Sequence, residues 1–334
     1  MVRQQIISDN TRKEVRSLYV LKAFCAFFVI CLHYLFIGRN VVLPIIKIAV
    51  PCFFLISGYF LVDSQGVIAT SRVKKQFKKL LKLTVAINIV YFVVVSLYTR
   101  HLLLEIFEPV VLLRLCLYGD VLGDHLWFLT AYVEVLLLLL LLMRLVEKDI
   151  RVSLKWLPII MTFLLTALIF GKYSFLFGHN FEEYWFRNAL NIAMPFMYFG
   201  AMVRVKENVI ITRINRTTLL ALLLVMCLLS YSEYGIQSLI CDKVGQGDLN
   251  LFTILLALLV FMMCIHFKEN KLGRWDWFVT IGRDHSNIIY LFHMMFLLLI
   301  PSSLFGEGNP LMLIAVWVLS LALSFIIKKI SFLV

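Results

Sequence analysis

Apolar segments long enough to cross a lipid bilayer recur along almost the whole chain. A transmembrane α-helix needs about 20 predominantly apolar residues, and in lipid its backbone polar groups must be satisfied within the helix. Of the 334 residues 62% are hydrophobic, far more than in a soluble domain of this length. The sequence therefore predicts an all-α, polytopic membrane helix bundle. We expect about ten transmembrane helices: 17–38, 44–62, 80–98, 126–144, 153–171, 187–204, 217–234, 250–267, 282–300 and 310–327.

Lysine and arginine residues are distributed unevenly among the segments between these spans. With a cytoplasmic N-terminus, 24 of the 32 fall in cytoplasmic segments and seven in outer segments, with Lys22 inside a span. Because cytoplasmic loops of membrane proteins carry the excess of positive charge, we expect both termini to be cytoplasmic. This topology also explains the formal net charge of +12, so we expect no nucleic-acid partner.

No long hydrophilic stretch separates the spans, so residues 1–334 are predicted to form a single transmembrane domain. The first apolar run lacks a small-residue cleavage site, which favours a retained span over a signal peptide. Segment 102–118 is short and contains Pro109 and three charged residues, so we expect it to be interfacial or re-entrant on the outer side. The seven cysteines lie mostly in apolar stretches without metal-ligand spacing, and no disulfide framework is indicated.

The first span contains two ionisable residues, Lys22 and His33, separated by 11 positions. In an α-helix this spacing is three turns plus about 20° and about 16 Å along the axis, so both share a face with Ala26 and Val29. Ionisable groups at membrane depth usually face a bundle interior or a water-filled cavity, which makes the pair a candidate functional site. Two structural explanations stand beside it: Lys22 snorkels to the headgroups, or His33 is a core residue hydrogen-bonded to a neighbouring helix.

The first cytoplasmic loop ends in a basic run, SRVKKQFKKLLKL at 71–83. Written as a helix, the run places four lysines on one face: Lys75, Lys78, Lys79 and Lys82. Attraction to anionic lipid headgroups explains such a segment. The sharper hypothesis is a docking site for a phosphorylated cytosolic ligand, because Lys and Arg bind phosphate through charge and hydrogen bonds.

The preceding span ends in PCFFLISGYF, where Ser57 and Gly58 are small enough for close approach of another backbone or a thin ligand. Contact between two helices is the structural explanation of this pair. The fourth span begins with GDHLWFLTAYVE at the outer face. Trp127 in this stretch is explained as an interfacial anchor. Asp124 and His125 are candidates for chemistry, because a carboxylate that orients an imidazole is a recurring way to prepare a general base.

The ninth span, GRDHSNIIYLFHMMF, places three polar side chains at i, i+4, i+7 spacing on one helix face: Ser286, Tyr290 and His293. We expect His293 to lie near the depth of His33 and His125. Three histidines at one depth raise the hypothesis of a metal site, but the sequence has no local metal-ligand signature, and we expect no metal.

Taken together, these stretches resemble the acyltransferase-3 family of integral membrane acyltransferases, over essentially the whole chain. Lys22 and His33 are similar to the family's first-span pair, in which the basic residue is usually Arg. PCFFLISGYF resembles its FF-x-x-SG motif, the following run its basic loop, and HLWFL, FMYFGAMV at 196–203 and YLFH its later motifs. Leu83 stands where the family often has Pro. The order and spacing of the motifs carry the resemblance, more than any single one.

The resemblance implies transfer of an acyl group, usually acetyl, from cytosolic acetyl-coenzyme A to a hydroxyl of an extracytoplasmic glycan or related acceptor. His33 would be the catalytic residue, either as general base or as the nucleophile that accepts the acyl group. The implied donor-binding residues are Lys22, Arg16, Ser57, Arg72, Lys75 and Lys79. The implied acceptor-binding residues are His125, Trp127, Tyr290 and His293.

The partners expected from this interpretation are acyl-coenzyme A, a carbohydrate or lipid-linked acceptor and membrane lipids, with the protein in the cytoplasmic membrane of a bacterium. The oligomeric state stays open, with a homodimer among the options. The alternative hypothesis is a transporter or exporter of an amino acid or lipid-linked sugar, and a third is a glycan polymerase. Transporters typically have broken helices at corresponding positions of two halves, a symmetry absent from this sequence.

Overall fold

The computed structural model describes residues 15–98, 106, 108–179, 181–240, 249–268 and 273–329. Nearly all of its secondary structure is helical. The α-helices are α1 (Arg16–His33), α2 (Arg39–Ile46), α3 (Ala49–Leu61), α4 (Thr70–Tyr98), α5 (Pro109–Leu117), α6 (Trp127–Leu145), α7 (Leu157–Phe170), α8 (Met194–Arg213), α9 (Arg216–Ile240), α10 (Leu251–His266), α11 (Asp276–Thr280), α12 (Ser286–Leu299) and α13 (Leu311–Lys329). The two strands are β1 (Val67–Ile68) and β2 (Ile150–Arg151).

Each expected span coincides with a helical segment, and the all-α prediction is confirmed. Within the described part of the chain, six helical segments are long and apolar enough to cross a membrane: Arg16–His33, Arg39–Leu61, Thr70–Leu97, Asp124–Leu145, Arg216–Ile240 and Leu311–Lys329. Leu154–Phe170 and Leu251–His266 are shorter apolar helices. The number of membrane crossings stays a prediction.

Segment 102–118 contributes α5, a helix of nine residues without a buried side chain. Nine residues rise about 14 Å, less than half the thickness of the hydrocarbon core, so α5 is too short to cross a bilayer. Its Arg114 forms an ion pair with Asp120 at 2.8 Å. The interfacial or re-entrant placement of segment 102–118 stays a prediction, because residues 102–105 and 107 lie outside the described part.

Helix α1 lies at the centre of the bundle. It packs against α3, α10, α12 and the π-helical turn Ile281–His285 that joins α11 to α12. Four of its side chains are completely buried: Leu18, Cys25, Ala26 and Ile30. Because α1 is surrounded by other helices, the polar residues on its inward face lie inside the protein and not against lipid.

Two glycines let α3 and α8 cross with their backbones in contact. A Cβ on Gly58 would overlap the carbonyl oxygen of Met197, and one on Gly200 would overlap that of Leu55. The close approach expected at Ser57 and Gly58 is therefore made by the α8 backbone. Gly282, in the π turn, lies equally close to the carbonyl oxygen of Tyr19 in α1.

The two short strands fix the start of the basic helix α4. They pair antiparallel, with Ile68 opposite Ile150. The adjacent Asp149 accepts hydrogen bonds from the backbone N–H and the hydroxyl of Thr70, both at 2.7 Å. These bonds hold the pKa of Asp149 below its ordinary value. The basic run thus forms a helix, as the sequence predicts, with its first turn anchored.

Candidate functional site

Lys22 and His33 line two different cavities from the same helix. Between them, Ala26 and Val29 are buried in the core. We name the cavity lined by Lys22 the inner cavity and the one lined by His33 the outer cavity, after the sides that the loop charges predict. The four residues on this face of α1 therefore run from one cavity to the other, with the two buried residues packed between the cavities.

The inner cavity has a volume of about 240 Å³ and lies among α1, α3, α4, α6 and α12. Aromatic and aliphatic side chains form most of its wall. Its charged groups are Lys22 and Lys79, and Ser57, Gln76 and Asn287 add uncharged polar groups. A small and mostly apolar cavity with two ammonium groups suits a thin chain that carries an anionic group.

The outer cavity is larger, at about 330 Å³. His33, Trp127 and Tyr290 contribute rings to its lining. Four cationic side chains and one carboxylate also line it: Arg39, Lys47, Lys172, Arg187 and Asp124. The volume falls in the range of small-molecule sites, and the mixture of rings with a few polar groups is typical of them.

Tyr290 lines both cavities. Its hydroxyl donates to the backbone carbonyl of His125 at 2.7 Å, which fixes the side chain in place. Its ring packs against Phe53 and Phe128, with centroids 5.8 and 5.1 Å away, and both of these rings belong to the inner cavity. Tyr290 is therefore the shared wall at which ligands from the two sides would come closest.

Three imidazole rings from three helical segments meet beside this wall. The ring centroids of His33 and His293 lie 5.2 Å apart, those of His125 and His293 5.0 Å, and those of His33 and His125 6.2 Å. His125 and His293 are buried, at 1% and 0% exposure, whereas His33 is half-buried at the outer cavity. The structure thus brings together the histidines that the sequence placed at similar depth, with His33 the most accessible.

Hydrogen bonds to carbonyl oxygens assign the tautomers of the two buried histidines. His125 Nε2 lies 3.1 Å from the carbonyl oxygen of Leu291, and His293 Nδ1 lies 2.5 Å from that of Tyr290. Because a carbonyl only accepts, both nitrogens carry the proton. The opposite nitrogens, His125 Nδ1 and His293 Nε2, are buried and find no hydrogen-bond partner among the described residues. Each of these two nitrogens therefore keeps a buried lone pair.

The expected donor-binding residues fall into two groups. Lys22, Ser57 and Lys79 line the inner cavity, where the Ser57 hydroxyl donates to the carbonyl of Phe53 at 2.8 Å. The other three lie outside its lining. Arg16 forms an ion pair with Asp276, Arg72 donates to the carbonyl of Leu61 at 3.0 Å, and Lys75 is exposed on α4.

Asp124 pairs with a cation of the outer cavity. Its carboxylate accepts a hydrogen bond from Arg187 at 2.9 Å, and Arg187 also forms an ion pair with Glu183. The guanidinium lies over the Trp127 ring, 5.6 Å from its centroid. Asp124 therefore positions an arginine on the wall of the outer cavity, a role that the sequence pattern did not suggest.

Sequence reasoning also missed the other cations of this cavity and one aromatic neighbour of the histidine cluster. Tyr91 donates to the carbonyl of Leu291 at 2.8 Å and its ring centroid lies 5.2 Å from that of His125. Nothing in the local sequence marks it. The cations carried a usable signal: Arg39, Lys47, Lys172 and Arg187 are four of the seven basic residues on the predicted outer side.

The described residues contain no group of three or more His, Cys, Asp or Glu side chains arranged to hold a metal ion. His125 and His293 each direct one ring nitrogen to a backbone carbonyl.

The fold and the site define an integral membrane helix bundle whose central helix carries an ionisable residue into each of two cavities. The family model described as an acyltransferase domain matches residues 15–329, so the chain belongs to the acyltransferase-3 family and is a membrane acyltransferase. The resemblance seen in the order of the motifs is thereby confirmed. No curated protein and no solved structure matches the chain.

Proposed function

We propose that this membrane acyltransferase moves an acetyl group from cytosolic acetyl-coenzyme A to a hydroxyl of an extracytoplasmic glycan or lipid-linked sugar, in the cytoplasmic membrane of a bacterium. The observation that carries the proposal is the shared wall: the inner cavity, with Lys22, and the outer cavity, with His33, both include Tyr290. Two substrates that enter from opposite sides would meet at this point.

The inner cavity is the donor site in this proposal. The acetyl-pantetheine arm is thin and mostly uncharged, and it would pass Ser57 on its way toward Tyr290. Lys22 and Lys79 supply positive charge along this path. The phosphates of coenzyme A would stay at the cytoplasmic mouth, where the exposed side of α4 offers further ammonium groups such as Lys75.

The outer cavity is the acceptor site, and its position favours His33 as general base. His33 lines this cavity and is absent from the lining of the inner one. Its imidazole would take the proton of an acceptor hydroxyl while that oxygen attacks the thioester carbonyl. A new C–O ester bond forms, the C–S bond breaks, and coenzyme A leaves as a thiolate that takes up a proton to become the thiol.

Four neighbours would support this step. The buried His125 and His293 pack against His33 and would hold its ring in position. The Tyr290 hydroxyl, through its bond to the His125 carbonyl, would hold the Tyr290 ring at the point where the thioester and the acceptor meet. Trp127 would form an apolar wall for the sugar ring.

His33→Ala tests the proposal. We expect acetyl transfer to surface glycans, measured by mass spectrometry of glycans from cells with and without the protein, to fall by about 10²- to 10⁴-fold, as for loss of a general base. His179→Ala is the matched control, because His179 is exposed and outside both cavities. Equal amounts of each variant in the membrane fraction exclude loss of protein as the cause.

Two results would contradict the proposal. Near wild-type acetylation by His33→Ala would remove His33 from the chemistry, and uptake of a solute into vesicles without consumption of acetyl-coenzyme A would indicate a transporter. An acetyl group trapped on His33 after rapid quenching would replace the general base with a covalent intermediate.

A further inference from the structure

We infer that the acceptor is acidic: a carbohydrate that carries a phosphate or carboxylate group close to the hydroxyl that is acetylated. This inference rests on the proposed function, because it treats the outer cavity as the acceptor site. It adds a substrate class that neither the family nor the histidine cluster specifies. The shared chemistry of the two anions is an oxyanion held by cationic side chains.

The first observation is the charge of the cavity lining. Among the described residues, Arg39, Lys47, Lys172 and Arg187 line the outer cavity together with one carboxylate, Asp124. Glu183 pairs with Arg187 from outside the lining, so the formal excess is two positive charges. A cleft of one charge sign with low-dielectric walls raises the local concentration of ligands of the opposite sign. A neutral sugar could accept hydrogen bonds from these side chains but would gain nothing from their net charge.

The second observation is how few lysines and arginines lie on the predicted outer side of the protein. Only seven of the 32 lysines and arginines fall in the predicted outer segments, and four of these seven converge on one cavity. The positive-inside bias explains abundant cations on the cytoplasmic face but not their collection in an outer cavity. A function on that side explains it.

The third observation is the burial of two of the cations. Lys47 is 8% exposed and Lys172 is 6% exposed. Charges withdrawn from water interact more strongly with a nearby ion, because the effective dielectric constant around them is lower. Each lysine also interacts with another group of the chain, so it is the charge summed over the lining that attracts the anion.

The fourth observation places this charge beside the reacting group. Arg39 donates from Nη2 to the carbonyl of Leu32 at 2.7 Å and from Nε to that of Cys31 at 3.4 Å, both in the last turn of α1 before His33. Arg187 is fixed by Asp124. Cations held by existing bonds need little reorganisation when an anion binds. An acidic group bound between them would hold a neighbouring hydroxyl at the His33 imidazole.

Binding to simple sugars tests the inference without any need for catalysis. The purified full chain in phosphatidylcholine nanodiscs would be titrated with glucose, glucuronic acid and glucose 6-phosphate at constant ionic strength, with thermal stabilisation as the readout. We expect at least one acidic sugar to bind tenfold or more tightly than glucose, and the two acids separate carboxylate from phosphate recognition. The preference should shrink as the salt concentration rises.

Variants locate the binding. Lys47→Gln combined with Lys172→Gln should reduce the acidic preference by tenfold or more, whereas Lys155→Gln combined with Lys206→Gln removes the same charge from exposed cytoplasmic-side positions and should leave it unchanged. If the first double variant does not fold, Lys172→Gln alone should reduce the preference while Lys172→Arg, which keeps the charge, should retain it.

Two outcomes would overturn the inference directly: glucose bound as tightly as both acids, or a preference unaffected by the Lys47 and Lys172 substitutions. A third is loss of sugar binding when phosphatidylglycerol replaces part of the phosphatidylcholine, which would assign the cavity to a lipid headgroup. A chain that prefers acidic sugars but transfers no acetyl group would contradict the proposed function alone, and one that acetylates without such a preference would contradict this inference alone.

Discussion

The inner and outer cavities both present positive charge, but their cations are supported in different ways. On the inner side, Lys79 belongs to a helix with a row of exposed lysines, which attraction to lipid headgroups also explains. On the outer side, Lys47 and Lys172 are buried and Arg39 is anchored on helix carbonyls. Positive charge is therefore stronger evidence for a ligand on the outer side, where membrane topology disfavours Lys and Arg, than on the cytoplasmic side.

The two cavities also differ in which residue joins each of them to the histidine cluster. His33 belongs to the outer cavity, whereas the inner cavity reaches the cluster through Tyr290. In the proposed function, the donor side would therefore present the carbonyl that is attacked, and the acceptor side would hold the base. Substitutions that affect both cavities, one cavity or their common wall test this division of roles.

The largest effect is expected from Gly282→Ala, which should disable both cavities at once. The new Cβ would overlap the carbonyl oxygen of Tyr19 and push α1 away from the π turn that leads into α12. Overpacking typically costs about 1–3 kcal/mol, and here the neighbour is backbone that cannot rotate away. We expect a lower melting temperature together with loss of coenzyme A binding and of acidic-sugar binding.

Gly235→Ala is the control for this change. Gly235 lies in α9 with open space around its Cα, and alanine is favoured over glycine in a helix by about 1 kcal/mol. Its melting temperature should stay the same or rise. Retention of one ligand and loss of the other in Gly282→Ala would show that the two cavities do not depend on the same helix contact.

The second effect separates the cavities. Lys22→Met combined with Lys79→Met should raise the KM for acetyl-coenzyme A by about tenfold or more, because hydrogen bonds to charged groups are worth about 1.5–3 kcal/mol. The KM for the acceptor should be unchanged, since neither lysine lines the outer cavity. Steady-state kinetics with each substrate varied in turn measures both values. Equal changes in the two KM values would indicate that the cavities form a single site.

The smallest effect is expected at the common wall. Tyr290→Phe keeps the ring between the cavities and removes the hydroxyl that donates to the His125 carbonyl. A neutral hydrogen bond contributes about 0.5–1.5 kcal/mol, so we expect kcat to fall by about 2- to 10-fold with both KM values retained. Tyr91→Phe removes a hydroxyl that donates to the Leu291 carbonyl, which His125 Nε2 also contacts, and serves as the comparison. A rise in one KM with kcat unchanged would assign Tyr290 to substrate binding.

Much of the fold followed from patterns within single segments. Bilayer-length apolar runs predicted the helices, and the Lys22 to His33 spacing predicted one face of α1, because helix length and helical period are local properties. The motif residues Ser57, Trp127 and Tyr290 were selected for the same reason. Motif order also identified the family before any geometry was known.

Tertiary structure decided which of these residues act together. Lys79 carries the same positive charge as Lys75, Arg16 and Arg72, yet of these four residues only Lys79 lines the inner cavity. The cations of the outer cavity come from segments far apart in the chain, and no local pattern relates Arg39 to Lys172. A side chain's type and its helix face can be read from the sequence, whereas its neighbours depend on how helices cross, at contacts such as Gly58 against Met197 and Gly282 against Tyr19.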